Sequence, residues 1–277
     1  VIVMEKLIYH FTGSEALKSI ILNQTFWITK SDYLNDTTEQ LVIKPLLQKF
    51  FKQHIRMSKK VQDYISNQLD YYLNEYNYYI LSCSQVDDSL PLWNYYSENE
   101  GYSIGIDKSE FLNMFENYFK GIDNEVNVII TEVRYVDLGD EDFFKEMLSP
   151  FTYFSDDDLE GKRDIIDELI MDLANLSFSI KHKAYAAEEE ERIVVICKKE
   201  SPITSREEFR VLNGSFIPYI IFNKEGAHSF TVPIKKIKLS PYPTMDLAKK
   251  SVLYLLKKNY KNFNEDDISQ SKIPSRY

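Results

Sequence analysis

Glu188-Glu189-Glu190-Glu191-Arg192-Ile193-Val194-Val195-Ile196 is the stretch on which the fold turns. Its second half is a series of β-branched residues, which favours a strand. An extended backbone sends alternate side chains to opposite faces. If the whole run is extended, Glu188, Glu190 and Arg192 share one face, with the two carboxylates about 7 Å apart. Two carboxylates and a guanidinium so placed are costly unless something binds there. Four Glu after Ala186-Ala187 also suit a solvated helix end, so strand and helix end both stand for residues 188–192.

Working outward, a second polar cluster, Tyr9-His10-Phe11-Thr12 beside Ser14-Glu15, closes a strand over Lys6–Phe11. On that strand Ile8, His10 and Thr12 share one face, and Tyr9 and Phe11 the other. Thr12 to Glu15 fits a capping box opening a helix, with Leu17, Ile20 and Ile21 on its buried face. Short strands are expected at 25–29, 78–84 and 101–107, and a long one at 126–136. Further strands follow at about 190–197, 216–222, 234–239 and 268–273. Helices are expected at 90–96, 108–119, 155–183 and 244–260. Two apolar stripes within 38–77, broken near 56–59, form a helical hairpin inserted between strands of the core. Strands and helices intermingle without strict alternation. The expected fold is therefore a single α+β domain over 4–277, with a mixed, mostly antiparallel sheet and flanking helices.

Composition narrows the function classes. An apolar fraction of 44% over 277 residues fits a globular chain with ample core. No apolar run approaches the ~20 residues of a membrane span and no signal peptide is visible, so no membrane partner is expected. Cys83 and Cys197 sit in apolar strands and form no Cys-x-x-Cys pair, which suits a reduced cytoplasmic protein and argues against structural zinc. The net charge is −10, yet residues 232–277 carry ten Lys or Arg against four acids. An acidic body disfavours non-specific nucleic-acid binding. The basic stretch is either a phosphate-seeking patch or a solvated helix face.

Ser82 and Ser84 point to one face of their strand with Cys83 opposite, and no nucleophile elbow surrounds either. Trp93, in Leu92-Trp93-Asn94-Tyr95-Tyr96, reads as core. The four histidines are scattered, and there is no P-loop, dinucleotide fingerprint or zincin motif.

Taken together these residues resemble a bacterial family known as the domain of unknown function 2971. The resemblance lies in Tyr9 to Thr12, the helix Glu15 to Ile20, Phe26 to Ile28 followed by Asn35-Asp36, and Ser82 to Ser84. It continues through Leu92 to Tyr96, Gly101 to Ile106, Lys181 and Tyr185 before Glu188, Glu190 and Arg192, and closes with Ser271 to Arg276. More distantly, His10, Ser82/Ser84 and Glu188/Glu190 are similar in order to the three site motifs of ADP-ribosyltransferases. The arginine-specific class has Arg where this chain has His10.

That second resemblance implies an ADP-ribosyltransferase-like fold, NAD as substrate without a metal, and a macromolecular acceptor, as in a toxin or phage-defence effector. It implies Glu190 as electrostatic catalyst, Glu188 orienting the acceptor, and His10 donating to a ribose hydroxyl. Thr12, Ser82 and Ser84 would bind substrate, Tyr9 or Tyr185 would stack on nicotinamide, and Arg192 or Arg276 would pair with the pyrophosphate. Two alternatives stand beside it. One is a nucleic-acid-processing enzyme in a defence system whose Asn35, Asp36, Glu188 and Glu190 hold Mg²⁺. The other is a non-enzymatic interaction module in which Glu190 and Arg192 belong to a buried ion-pair network. Glu190→Gln keeps or raises stability if the carboxylates repel one another in a site, and lowers it if they are paired.

Overall fold

The computed structural model describes residues 6–34, 43–53, 56–96, 100–137, 145, 147–224, 230–241 and 245–274. Among these, ten strands form one mixed, mostly antiparallel sheet flanked by helices. They are β1 (Leu7–Gly13), β2 (Phe26–Lys30), β3 (Tyr76–Ser84), β4 (Gly101–Asp107), β5 (Asn127–Glu132), β8 (Glu190–Lys198), β9 (Glu208–Leu212), β10 (Ser215–Phe222), β11 (Ile234–Leu239) and β12 (Ile268–Gln270). A small parallel pair stands apart: β6 (Arg134–Val136) with β7 (Ile180–His182).

The sheet forks at β3. Along one edge, β3 pairs with β8 over its whole length, from Tyr76↔Lys198 to Ser84↔Glu190. Its other edge is shared by two strands that do not pair with each other. β2 takes one end, at Thr29↔Ile80 and Lys30↔Tyr79, and β1 the other, at Tyr9↔Ser84. Leu81, Ser82 and Cys83 face the gap between them. From β1 the sheet continues through β4, β11 and β12; from β2 it continues through β10 and β9. Helix α1 (Ser14–Asn23) connects β1 to β2 and so bridges the fork.

β3 and β8 hold their place because both faces are apolar. Tyr79, Leu81, Cys83, Ile193, Val195 and Cys197 face the main core, shared with α1, α5 (Lys108–Lys120) and α8 (Met245–Leu256). Tyr78, Ile80, Val194 and Ile196 face the other way and pack with Phe178, whose ring stacks on Tyr78 at 4.0 Å. Helices α2 (Ile43–Gln53), α3 (Lys59–Glu75), α6 (Asp156–Gly161) and α7 (Arg163–Leu176) build a second, mostly helical core, joined by Val136 of β6 and Ile180 of β7. Within 38–77 the described residues form α2 and α3, and α3 packs on α7. On the same side of the sheet as Phe178, α4 (Leu90–Tyr96) lays Leu92 and Trp93 against Phe11. Trp93 is fully buried, with its Nε1–H donated to Asp88 at 2.8 Å.

Several local expectations are corrected. The helix expected over 155–183 is broken at Lys162 and ends at Leu176, after which the chain turns into β7. The strand expected over 126–136 is interrupted at Val133 and divides into β5 and β6. α1 has no side-chain cap: its N-cap is Gly13, because Thr12 is held in β1 opposite Tyr102. β9 was not expected. It pairs with β10 through the two-residue turn Asn213-Gly214, both at positive φ (49° and 78°), the geometry of a type I′ hairpin.

Candidate functional site

The run 183–192 is neither one strand nor one helix end. Lys183–Glu188 is a 3₁₀ segment, and β8 begins at Glu190. Between them Glu189 adopts a left-handed backbone, φ 42°, at a cost of roughly 1–2 kcal/mol for a residue with a Cβ. Its carbonyl accepts from the Gln85 N–H at 2.8 Å, which ties the turn to the end of β3. The reversal brings Glu188 back beside Glu190 by a route other than strand alternation. Ser84 fixes that turn, since its hydroxyl donates to the Glu188 carbonyl at 2.8 Å and accepts from Val86 N–H.

Glu188, Glu190 and Arg192 are all buried, and so is Lys181, which β7 delivers. Arg192 grips Glu190 with two parallel hydrogen bonds, Nε to Oε1 at 2.8 Å and Nη2 to Oε2 at 2.9 Å. Its Nη1 donates to the Phe178 carbonyl. Lys181 Nζ lies between the carboxylates, 2.7 Å from Glu188 Oε2 and 3.2 Å from Glu190 Oε2. Tyr135, opposite Lys181 in the parallel pair, accepts the Glu190 N–H at 2.7 Å. Two anions and two cations thus form one neutral buried cluster. Glu191 alternates to the opposite face and pairs there with Lys108.

The two carboxylates are pushed apart in acidity. Burial raises the Glu188 carboxyl above the usual range, against the pull of Lys181 and with further push from Glu190. Burial also works on Glu190, but the charge and hydrogen bonds of Arg192, then Lys181 and the Ser82 hydroxyl, outweigh it and hold Glu190 at about 2. Paired titratable groups with diverging acidities are a recurrent feature of reaction sites.

A cavity of about 640 Å³ opens at the fork against this cluster. Tyr9, His10, Phe11 and Thr12 of β1 line it, as do Trp27 and Thr29 of β2, residues 80–84 of β3, Tyr96, Glu188, Glu190 and Arg210. Ala16, Ser19 and Ile20 of α1 also contribute to its lining. His10 reaches across the gap: its Nδ1 is 3.0 Å from the Ser82 carbonyl oxygen. A carbonyl only accepts, so Nδ1 carries the proton and Nε2 is the acceptor in the neutral ring. Burial lowers the His10 pKa, partly offset by that hydrogen bond. The folded value therefore lies below the unfolded one. This contribution to stability is complete above the unfolded pKa of about 6.5 and is lost as pH falls through the folded value. In an NMR titration His10 is expected to stay neutral at pH 6.5; half-protonation at or above that pH would show that the ring is not so held.

Of the residues singled out in the sequence, the cavity gathers Tyr9, His10, Thr12, Ser82, Ser84, Glu188 and Glu190. Arg192, expected to pair with a pyrophosphate, is not among its lining residues; its guanidinium donates to Glu190 and to the Phe178 carbonyl. Tyr185 is likewise not among them and lies 4.6 Å from Lys181 Nζ, so it stacks on a cation of the protein itself. Arg276, Asn35 and Asp36 lie outside the described residues. The segment before Arg276 does reach the site's flank, where the Ser271 hydroxyl donates to Asp88 at 2.6 Å and Ile273 packs with Trp93. No role was expected from the sequence for Arg210, Trp27 or Tyr96, nor for the charge of Lys181.

Residues 92–193 match the model of a family described as Protein of unknown function (DUF2971). Over these residues the chain is similar to that family. The match runs from α4 into the start of β8, so it contains Lys181, Glu188, Glu190 and Arg192, while His10 and Ser82 fall before it. No curated protein and no solved structure gave a match. No helix among the described residues is long and apolar enough to cross a membrane.

Proposed function

We propose that the fork cavity binds NAD and that the chain cleaves the bond between nicotinamide and ribose, passing ADP-ribose to water or to a macromolecular acceptor. The observation that carries this reading is that Glu188, His10 and Ser82 line one aromatic-walled cavity, with Glu188 tethered through a single oxygen to Lys181. As the ribose C1′–nicotinamide N1 bond breaks, its electron pair leaves with neutral nicotinamide and positive charge develops on the sugar. A fixed carboxylate facing that carbon stabilises the charge in proportion to the exclusion of water. The oxygen of water or of the acceptor then bonds to C1′ and releases a proton.

The geometry supports roles for the two glutamates other than those implied by motif order. Both oxygens of Glu190 are engaged by cations, so its charge is compensated before any substrate arrives. Glu188 is the carboxylate we place toward C1′, with Glu190 holding Lys181 and Arg192. Neutral His10 offers Nε2 as acceptor to a ribose hydroxyl. Mg²⁺-dependent chemistry is less well served, because Lys181 Nζ occupies the place between the carboxylates that a cation would take. A purely structural cluster within an interaction module draws on the Glu190–Arg192 pairing and predicts inertness toward NAD.

Purified protein incubated with NAD, with and without cell lysate, is expected to release nicotinamide as followed by chromatography. Neither binding nor consumption under both conditions would sink the proposal.

A further inference from the structure

Among the described residues, every buried or half-buried charge around the cavity has an opposite charge beside it except one. Glu188 and Glu190 are matched by Lys181 and Arg192, and on the β2 side Glu207 is matched by Lys30 at 2.9 Å. Arg210, on β9, is the exception. It extends from the outermost strand of its wing to the cavity, where Nη2 donates to the Thr29 hydroxyl at 3.1 Å. Its Nε is buried with no hydrogen-bond partner among the described residues, and no carboxylate there pairs with it. The nearest acid along its own strand, Glu208, is taken by Lys224 at 2.6 Å and by the Tyr219 hydroxyl at 3.2 Å. A guanidinium that is partly removed from water, aimed into a cavity and left with an idle N–H is costly unless an anion completes it.

We propose that Arg210 is the anion clamp of the cavity and that the ligand carries a phosphoryl group on its side, with Glu188 meeting the opposite, electron-poor end. This rests on the NAD reading and sharpens it: Arg210, not Arg192, receives the pyrophosphate. The planar guanidinium suits two phosphoryl oxygens at once. Trp27, half-exposed and stacked on Tyr219 at 4.6 Å, lines the same side and offers an aromatic surface near the clamp. Burial already weakens the hold of Arg210 on its proton, as expected of a cation lacking its counter-charge.

The test is calorimetric titration of the parent, Arg210→Gln and Arg210→Lys with NAD, ADP-ribose, inorganic pyrophosphate and nicotinamide riboside, the last having no pyrophosphate. Circular dichroism confirms that each variant is folded. Arg210→Gln is expected to weaken NAD and ADP-ribose binding at least about ten-fold while leaving nicotinamide riboside unchanged, with Arg210→Lys intermediate. Equal loss for all four probes, or none for the phosphorylated ones, overturns the clamp and leaves the NAD reading standing. Arg210-dependent binding of pyrophosphate alone, with no binding or turnover of NAD, upholds the clamp and removes NAD. Absence of binding by any phosphorylated probe overturns both.

Discussion

Replacing Glu190 by Gln is expected to destabilise the fold by about 3–5 kcal/mol, as when one member of a buried ion pair is removed. In a chain of this size that is a fall in melting temperature on the order of 10 °C. Arg192 would keep its place, nearly wholly buried, with a neutral amide where two charge-assisted hydrogen bonds had been. On the sequence alone the opposite sign is expected if two carboxylates on one strand face repel one another, a repulsion that Gln would relieve. The structure removes that premise by inserting Lys181 and Arg192. Replacing both partners, as Glu190→Leu with Arg192→Met, should recover most of the loss, since apolar groups need no compensating charge. The pH dependence has a definite sign. Glu190 is held at about 2, so its contribution is complete above the ordinary carboxylate range and is lost as pH falls from there toward 2. An unchanged melting temperature for Glu190→Gln would contradict the paired geometry.

Glu188→Gln should separate activity from stability. Nicotinamide release is expected to fall by about 10²–10³, the usual cost of deleting one preorganised group that faces developing charge. Stability should stay within about 1 kcal/mol of the parent or rise. The raised Glu188 pKa means that the folded state binds this proton more tightly than the unfolded one, so stability declines as pH climbs from the ordinary carboxylate range through the raised value. Gln resembles the protonated form and abolishes that decline, while Lys181 keeps Glu190 as partner. Turnover that survives in Glu188→Gln would move the electrostatic role elsewhere.

The strands were legible where side chains alternate or branch at Cβ, as in Ile193 to Ile196 and Gly101 to Ile106. α1 was legible from Leu17, Ile20 and Ile21. Asn213-Gly214 between Phe209–Leu212 and Ser215–Pro218 is a hairpin signal that went unread, and Arg210 was missed with it. The fork had no local signal at all. It arises because β1 and β2 compete for one edge of β3, and register of that kind depends on strands distant in sequence. The candidate residues His10, Ser82, Ser84, Glu188 and Glu190 were visible as polar exceptions within apolar strands. Their electrostatics were not, because the compensating Lys181 and the Tyr135 hydroxyl arrive through a three-residue parallel pair that resembles loop. Glu188 shows how a correct grouping came with an incorrect reason: alternation predicted a shared face, whereas the left-handed Glu189 produces it.

The most direct test of the central claim is titration of NAD into the protein while the His10 imidazole is followed by NMR. The chain has four histidines, so the ring signals can be assigned by single substitutions. His10 lines the cavity, whereas His182 lies outside it and accepts from Ala184 N–H through its own Nδ1. A saturable shift of the His10 resonances that ends at one equivalent is expected, with His182 unmoved. Unshifted His10 resonances at millimolar NAD, in protein whose spectrum is otherwise that of the folded state, would contradict it.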